Sequence, residues 1–288
     1  MDLFLSAATQ GLAFAGLGLG IYLSLKIFNI PDITTDGSYT LGGAISAVMI
    51  MNGYPPILSI VAAILGGCLA GSLTSIIHTR LKIHPLLAGI LVMTGLYSIN
   101  LVIMNRPNIP LVNTPSLFTL FNIDDSSQNK FLVCLLIAAL LVGIITWLLK
   151  TDFGIAMRAT GNSESMIRAL GVNTDAMKIK GLAIANGLTA MSGSIMVQYQ
   201  GFADINMGIG IVISGLGAVI IGEALLRFMP IKNIALNVIS VIAGTIGFRL
   251  LLALALSAGL APNLLKLTTA ILVLTVVALL QLSNKKTA

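Results

Sequence analysis

Residues 131–149 read FLVCLLIAALLVGIITWLL, and this stretch decides the class of fold. It holds no charged residue, and its apolar run is continuous, whereas a strand of a membrane β-barrel alternates apolar and polar positions. A helix of these 19 residues rises about 28 Å, close to the roughly 30 Å hydrocarbon core of a bilayer. The stretch is therefore predicted to be a membrane-spanning helix.

The whole 288-residue chain has the composition of a membrane protein. Hydrophobic residues make up 57% and charged residues only 9%, with a mean hydropathy of +1.00. An average soluble domain is about 25% charged, so too few ionised groups remain here to cover a water-soluble surface. Disordered, collagen-like and disulfide-rich secreted classes are excluded by the same composition. The net charge of +6 forms no basic cluster, so no nucleic-acid partner is expected.

Eight further apolar segments surround the first, four on each side. Most approach the roughly 20 residues that a spanning helix needs, although Leu41–Gly53 is short. We therefore expect an all-α polytopic membrane protein with about nine transmembrane helices in a single domain over residues 1–288. The predicted spans are Leu3–Leu25, Leu41–Gly53, Ile57–Ile77, Leu86–Met104, Phe131–Leu149, Gly181–Gln198, Ile209–Leu225, Ile234–Leu256 and Leu264–Gln281.

Two stretches of the chain resemble each other. Asp32-Ile-Thr precedes a segment ending Gly42-Gly43-Ala44, and Asp204-Ile-Asn precedes one ending Gly215-Leu-Gly-Ala218. The predicted spans make the two copies run in opposite senses, which favours a 4+1+4 inverted repeat with short or broken helices. Chance similarity in Gly/Ala-rich sequence is the alternative. The predicted parts are a first repeat (about 1–104), an outer loop (105–130), a linking span (131–149), a cytosolic loop (150–180) and a second repeat (about 181–282).

Lysine and arginine positions predict the orientation, because cytoplasmic loops are enriched in both. With the N-terminus outside and the C-terminus inside, twelve of the sixteen fall on the inner side and four on the outer side. The inner set is Lys26, Arg80, Lys82, Lys150, Arg158, Arg168, Lys178, Lys180, Arg227, Lys232, Lys285 and Lys286, and the outer set is Arg106, Lys130, Arg249 and Lys266.

Polar residues in or beside the spans are candidates for lining a solute path, because they are costly in a membrane. Asp32, Asp36 and Asp204 stand beside the short segments, with helix N-capping as the alternative role. Asn186, Thr189 and Glu223 lie within spans, where bridging between helices is the alternative.

The inner loop carries the most organised motif, TDFGIAMRATGNSESMIRALGV at residues 151–172. Asn162 or Ser163 can cap a short helix there, Glu164 suits its positive N-terminus, and Gly171 can end it in the left-handed conformation. The apolar residues of this helix fall on one face, so it is predicted to dock into a groove of a partner. The candidate coupling residues are Arg158, Gly161, Asn162, Glu164, Met166, Ile167, Arg168, Leu170 and Gly171.

The sequence lacks the motifs of an enzyme. It contains no HExxH, CxxC or paired-carboxylate arrangement, and the phosphate-binding GxxxxGK[ST] loop is excluded because no Gly-Lys pair occurs. We therefore expect no catalytic residue, metal or cofactor in this chain. Any drive by ATP has to come from another subunit.

The motif at residues 151–172 resembles the coupling loop of ABC-transporter permeases of the branched-chain amino acid, ribose and simple-sugar type. The stretch Pro31–Ala44 is similar to a second segment of that family, and its Asp36-Gly-Ser…Leu41-Gly variant resembles permeases paired with tryptophan/tyrosine-type binding proteins. The resemblance covers nearly the whole chain.

This resemblance implies a permease subunit of an importer in a bacterial-type cytoplasmic (inner) membrane. Its partners would be a second permease copy (identical or a close paralogue), cytosolic P-loop ATPase subunits that bind ATP and Mg²⁺, and an extracytoplasmic solute-binding protein. We expect the outer loop, with its apolar patch Leu117–Phe121, to offer the surface for the binding protein.

Two other classes compete with the importer. A stand-alone secondary transporter also uses inverted repeats and broken helices. A structural membrane protein without transport would leave the organised inner loop unexplained.

Overall fold

The computed structural model describes residues 2–120, 127–226, 233–261 and 264–285, and most of them are helical. The helices are α1 (Asp2–Ala13), α2 (Ala15–Ile21), α3 (Thr34–Met51), α4 (Pro56–Arg80), α5 (Pro85–Met104), α6 (Leu117–Leu120), α7 (Ser127–Lys150), α8 (Asp152–Asn162), α9 (Glu164–Ala169), α10 (Thr174–Gln200), α11 (Ile211–Leu226), α12 (Ile234–Ser257) and α13 (Leu265–Lys285).

The apolar helices confirm a helical, multi-pass membrane protein. Among the described residues, α4, α5, α7 and α12 are each long and apolar enough to cross a membrane, and α1 with α2 makes a fifth if the pair counts as one bent span. Helices α11 and α13 are apolar but shorter. The count of nine spans and the 4+1+4 arrangement remain predictions. Helices α3 and α10 carry polar side chains that are buried within the protein.

The first predicted span, Leu3–Leu25, is broken rather than straight. Helices α1 and α2 meet at Phe14 with a bend of 44°, and a π-helical segment, Tyr22–Ile27, follows α2. Glycines of α2 explain the close packing beyond the bend. A Cβ atom at Gly20 would collide with the carbonyl oxygen of Ala185, so only glycine lets α2 lie this near α10.

A small antiparallel sheet was not predicted. Strand β1 (Asn108–Pro110) pairs with β2 (Phe202–Asp204), and Asn108 lies opposite Asp204. Each strand has only three residues, too few for a periodic sequence signal. The sheet joins the outer loop to the segment that leads into α11.

The apolar patch Leu117–Phe121 is not the exposed surface that the sequence predicts. Leu117 and Phe118 are both 5% exposed and belong to the main core, and the Phe118 ring meets Tyr199 edge-on at 6.1 Å between centroids. The Leu117 N–H donates to Gln198 Oε1 at 2.8 Å, which ties the loop to α10. Phe121 lies outside the described residues.

Helix α10 occupies the centre of the protein. It packs against α2, α3 and α4, and most of its residues from Gly181 to Gln198 are buried. The Gly67-Cys-Leu-Ala-Gly71 spacing on α4 faces it, and a Cβ atom at Gly71 would collide with the carbonyl oxygen of Leu182. Small residues therefore set the distance between these helices.

Replacing Gly71 by alanine should lower stability by about 1–3 kcal/mol, because the added methyl group overpacks the contact between α4 and α10. Gly143→Ala is the matched control, since a Cβ atom at that position on α7 meets nothing within 4 Å. Thermal unfolding of both variants in detergent measures the difference. Equal melting temperatures would contradict the close packing.

Candidate functional site

The Asp32 carboxylate joins the start of α3 to the middle of α10. Asp32 is 6% exposed, and its Oδ1 accepts a hydrogen bond from the Thr34 N–H at 2.9 Å. Its Oδ2 accepts from Asn186 Nδ2 at 2.7 Å. Asn186 Oδ1 in turn accepts from the Ser38 hydroxyl at 2.7 Å. Asp32 is not the N-cap residue of α3, which is Ile33, but its carboxylate accepts from the first N–H of that helix and also links two segments that are far apart in sequence.

Asp36 lies one turn further along α3 and binds the start of α11. Its Oδ2 accepts from the Gly210 N–H at 2.8 Å and its Oδ1 accepts from the Val212 N–H at 2.9 Å. Gly210 directly precedes α11 and Val212 lies in its first turn, where the helix itself leaves N–H groups without acceptors. A carboxylate from one predicted repeat thus caps the short helix of the other.

A cavity of about 270 Å³ lies beside Asp36. The Asn100 side chain, 1% exposed, donates from Nδ2 to the Gly37 carbonyl at 3.3 Å, and within the described residues its Oδ1 has no hydrogen-bond partner. A solute with a hydrogen-bond donor could supply the partner that Asn100 Oδ1 lacks. The lining residues are Asp36, Gly37, Thr40, Met93, Thr94, Tyr97, Asn100, Ile205, Gly208 and Ile209.

The other predicted path residues do not line this cavity. Asp204 holds the turn after β2, where its Oδ1 accepts from the Asn206 N–H at 2.8 Å. Thr189 is buried and donates to the Ala185 carbonyl of its own helix at 3.0 Å. Glu223 forms an ion pair with Lys26 at 2.7 Å, with both side chains more than one third exposed. Asp36 lies within the first turn of α3, and the segment predicted to be short, Leu41–Gly53, is part of this 18-residue helix. Nothing in the sequence revealed the partner of Asp36, 174 residues away.

The inner loop is more helical than predicted. Helix α8 (Asp152–Asn162) begins at Thr151, whose hydroxyl accepts from the Gly154 N–H at 3.3 Å. Asn162 ends this helix instead of capping the next one, and Ser163 precedes α9 without a capping side-chain hydrogen bond. Helix α10 begins at Thr174, within the loop predicted to extend to Lys180.

Within α8, Gly161 packs against the π-helical segment. A Cβ atom there would collide with the carbonyl oxygen of Ile27, so α8 lies directly on the backbone of the membrane part. Met157 is fully buried on the same helix, while Arg158 is half-buried and its Nε donates to the Gly154 carbonyl at 3.4 Å. Arg158 and Gly161 therefore belong to a helix that is fixed to the protein, separate from α9.

Helix α9 (Glu164–Ala169) ends as the sequence predicts. Gly171 has a φ of +85°, in the left-handed region. Its N–H donates to the Arg168 carbonyl at 3.1 Å, and the Val172 N–H donates to the Ile167 carbonyl at 3.3 Å. These two bonds form a Schellman motif, which needs the conformational freedom of glycine at this position.

Charged side chains attach α9 to the first turns of α10. Glu164 forms ion pairs with Arg168 at 2.9 Å and with Lys178 at 2.6 Å, and Arg168 reaches Asp175 at 3.3 Å. The hydrogen bond from Lys178 is the main cause that lowers the pKa of Glu164 below its ordinary value, with smaller effects of Thr174 and Arg168. The carboxylate therefore stays ionised, and the network intact, throughout the neutral range.

The apolar face of α9 points away from the protein. None of its six residues, all of them described, is buried. Met166 is 64% exposed and Leu170, which follows the helix, is 70% exposed. Ile167 is half-buried. Large apolar side chains held out by a rigid, ion-paired helix are typical of a binding surface.

Comparison with known proteins places the chain among transport proteins. A family model described as "Branched-chain amino acid transport system / permease component" matches residues 3–280. The "Tyrosine transport system permease protein" of Clostridioides difficile (strain R20291) is 41% identical over 290 aligned residues, which cover 100% of this chain and 95% of that protein. The "Autoinducer 2 import system permease protein LsrC" of Yersinia pestis (strain Pestoides F) is 29% identical over 72% of this chain and 58% of that protein.

A solved structure shares the fold. It is an ABC transporter described as of the metal-chelate type, in an inward-facing conformation, with a TM-score of 0.54. The alignment covers 98% of this chain and 85% of the other, at 17% sequence identity.

Asn186→Leu should destabilise the protein by about 3 kcal/mol, because it leaves the buried Asp32 carboxylate without its partner on α10. The exchanged pair Asp32→Asn with Asn186→Asp is the control. The exchange keeps a carboxylate, an amide donor and an acceptor for the Ser38 hydroxyl at the contact between α3 and α10. Thermal unfolding of the three proteins tests the link, and a stable Asn186→Leu variant would contradict it.

Proposed function

Since the chain belongs to the permease-component family of branched-chain amino acid transport systems, we propose that it is the membrane subunit of an ATP-driven importer. It moves a small solute from an extracytoplasmic binding protein into the cytoplasm. The observation that carries this proposal is α9, an exposed apolar helix fixed by ion pairs in a chain without a phosphate-binding loop.

The complex contains a second permease copy, identical or a close paralogue, and cytosolic ATPase subunits that bind ATP and Mg²⁺. Nine spans in a 4+1+4 inverted repeat cross a bacterial-type cytoplasmic membrane, with the N-terminus outside and the C-terminus inside. The twelve-to-four division of Lys and Arg supports this orientation, which places α8 and α9 on the side where ATP is available.

Helix α9 docks into a groove of the ATPase through Met166, Ile167 and Leu170. The ion pairs of Glu164 with Lys178 and of Arg168 with Asp175 carry any displacement of α9 directly to α10. From Lys178 to Asn186 the same helix rises about 12 Å into the protein, at 1.5 Å per residue. There Asn186 binds Asp32 at the start of α3, so one continuous helix connects the docking surface to the Asp36 cavity.

The solute path passes the Asp36 cavity. Asp36 contributes a charge and Asn100 contributes an amide oxygen that has no partner among the described residues, in a space bounded by α3, α5 and the segment that leads into α11. Asp32, Asn186 and Thr189 act on the path by holding α3 and α10 in place, while Asp204 and Glu223 act at the two ends of the segment that contains α11.

The solute is an amino acid, and an aromatic one is favoured. The name of the Clostridioides difficile relative and its 41% identity support this choice. The sequence left a stand-alone secondary transporter open as an alternative. Such a transporter needs no exposed docking helix, so it leaves the exposed apolar face of α9 unexplained.

Leu170→Asp should release the ATPase, because a charge at an apolar anchor costs about 2 kcal/mol or more of binding, which is over tenfold in affinity. The permease itself should fold normally, since Leu170 is 70% exposed. Ser165→Asp is the matched control, with the same added charge on the same helix. The readouts are the ATPase retained on tagged permease and ATP-dependent uptake in proteoliposomes. Uptake by the unmodified permease with no ATPase bound would favour the secondary transporter.

Cysteines at Val112 and Ser165 should label from opposite sides of the membrane. Val112 in the outer loop is 71% exposed, and Ser165 is exposed on α9. A membrane-impermeant maleimide applied to intact cells should modify Val112→Cys alone, and both variants after the membrane is opened. The unmodified chain, with Cys68 half-buried and Cys134 buried, controls for background labelling. Labelling of both sites in intact cells would contradict the proposed orientation.

A further inference from the structure

A second cavity adjoins the first and carries the opposite charge. It measures about 310 Å³, at the lower end of the roughly 300–1,000 Å³ of small-molecule sites. Ile209 lines both cavities, so the segment that leads into α11 separates them. Arg249 of α12 and Lys266 of α13 enter the second cavity, together with Ser214 of α11.

Aromatic rings fix the guanidinium group of Arg249. Its Cζ lies 3.9 Å from the centroid of the Phe14 ring, a cation–π contact. Phe14 in turn stacks on Tyr39, with centroids 5.8 Å apart and planes at 21°. Phe14 is the residue at the bend between α1 and α2, so the bend presents this ring to Arg249. One face of the guanidinium is covered, and its N–H groups make no hydrogen bond to any residue that the structure describes.

Neither cation has an ion-pair partner within the described ranges 2–120, 127–226, 233–261 and 264–285. The Asp36 carboxylate acts electrostatically on Lys266, but both its oxygens already accept hydrogen bonds from α11. Arg249 is half-buried whereas Lys266 is exposed, so the cost falls on Arg249, because a guanidinium inside a membrane protein is costly unless an anion joins it. The planar guanidinium fork binds a carboxylate through two parallel hydrogen bonds, and an ammonium group adds a second positive charge.

We propose that the Arg249–Lys266 cavity binds the carboxylate of the transported amino acid; this rests on the proposed import of an amino acid. Arg249 supplies paired hydrogen bonds with its orientation held by Phe14, and Lys266 supplies charge from the facing helix. The site belongs to the solute path rather than to the machinery that couples ATP hydrolysis, which lies at α9.

The test uses the complete transporter, with its ATPase subunits and binding protein, in proteoliposomes. The probe is radiolabelled L-tyrosine, delivered by the same unmodified binding protein in every experiment. The variants are Arg249→Gln, Arg249→Lys and Lys266→Gln. Arg80→Gln, which removes an exposed arginine at the end of α4, is the matched control.

We expect Arg249→Gln and Lys266→Gln each to lower L-tyrosine uptake at least about tenfold, which corresponds to the loss of one charge-assisted contact. Arg249→Lys should retain intermediate uptake, because it keeps the charge but loses the fork. Stimulation of ATP hydrolysis by the loaded binding protein should stay unchanged in all variants. A merely structural role would lower uptake and hydrolysis together.

Several results would overturn the proposal. Normal L-tyrosine uptake by Arg249→Gln would contradict the proposed carboxylate site, but not the proposed import of an amino acid. Separation of the permease subunits in that variant means that the cation pairs with the neighbouring subunit instead. If the Arg249→Gln variant fails to assemble, L-tyrosine uptake by the Lys266→Gln variant tests the proposal. If the unmodified complex imports neither L-tyrosine nor any other L-amino acid, both the proposed solute and the proposed carboxylate site are wrong.

Discussion

The hydrogen bond between Asn186 and Asp32, 2.7 Å long, is the interaction on which the rest of the interior depends. A carboxylate buried in a membrane protein is tolerated only when its oxygens have donors, and here they are the Asn186 amide and the Thr34 N–H. This requirement fixes where α3 begins against α10. One turn later, Asp36 is thereby placed to cap α11, so the position of the second short helix follows from the first contact.

Glycines hold two further helices close to α10. Residues such as Gly71 on α4 and Gly20 on α2 let both helices approach the α10 backbone, where a Cβ atom would meet a carbonyl oxygen. In lipid, association of helices depends on such close packing and on interhelical hydrogen bonds rather than on the hydrophobic effect. Helix α10 then joins the ion-paired inner loop at one end to the Asp32 junction in its middle, which gives the protein a rigid connection between its two candidate sites.

Charge is distributed unevenly around the start of α11. The cavity on one side of its leading segment carries Asp36, and the cavity on the other carries Arg249 and Lys266. Both lie beside the segment that leads into α11, which Asp36 of α3 binds. The first N–H groups of a helix have no acceptor within the helix, and here the Asp36 side chain accepts from two N–H groups at the start of α11.

The sequence by itself determined the membrane class, the short apolar helix that follows Asp204, and the end of α9 at Gly171, because hydropathy, composition and a glycine stop are local properties. Only the tertiary structure decided the rest. The bend at Phe14, the burial of Leu117 and Phe118, and the strands beside Asp204 depend on contacts between distant segments. The cap of α11 by Asp36 and the stacking of Arg249 on Phe14 join residues far apart in the chain, and local periodicity carries no information about such partners.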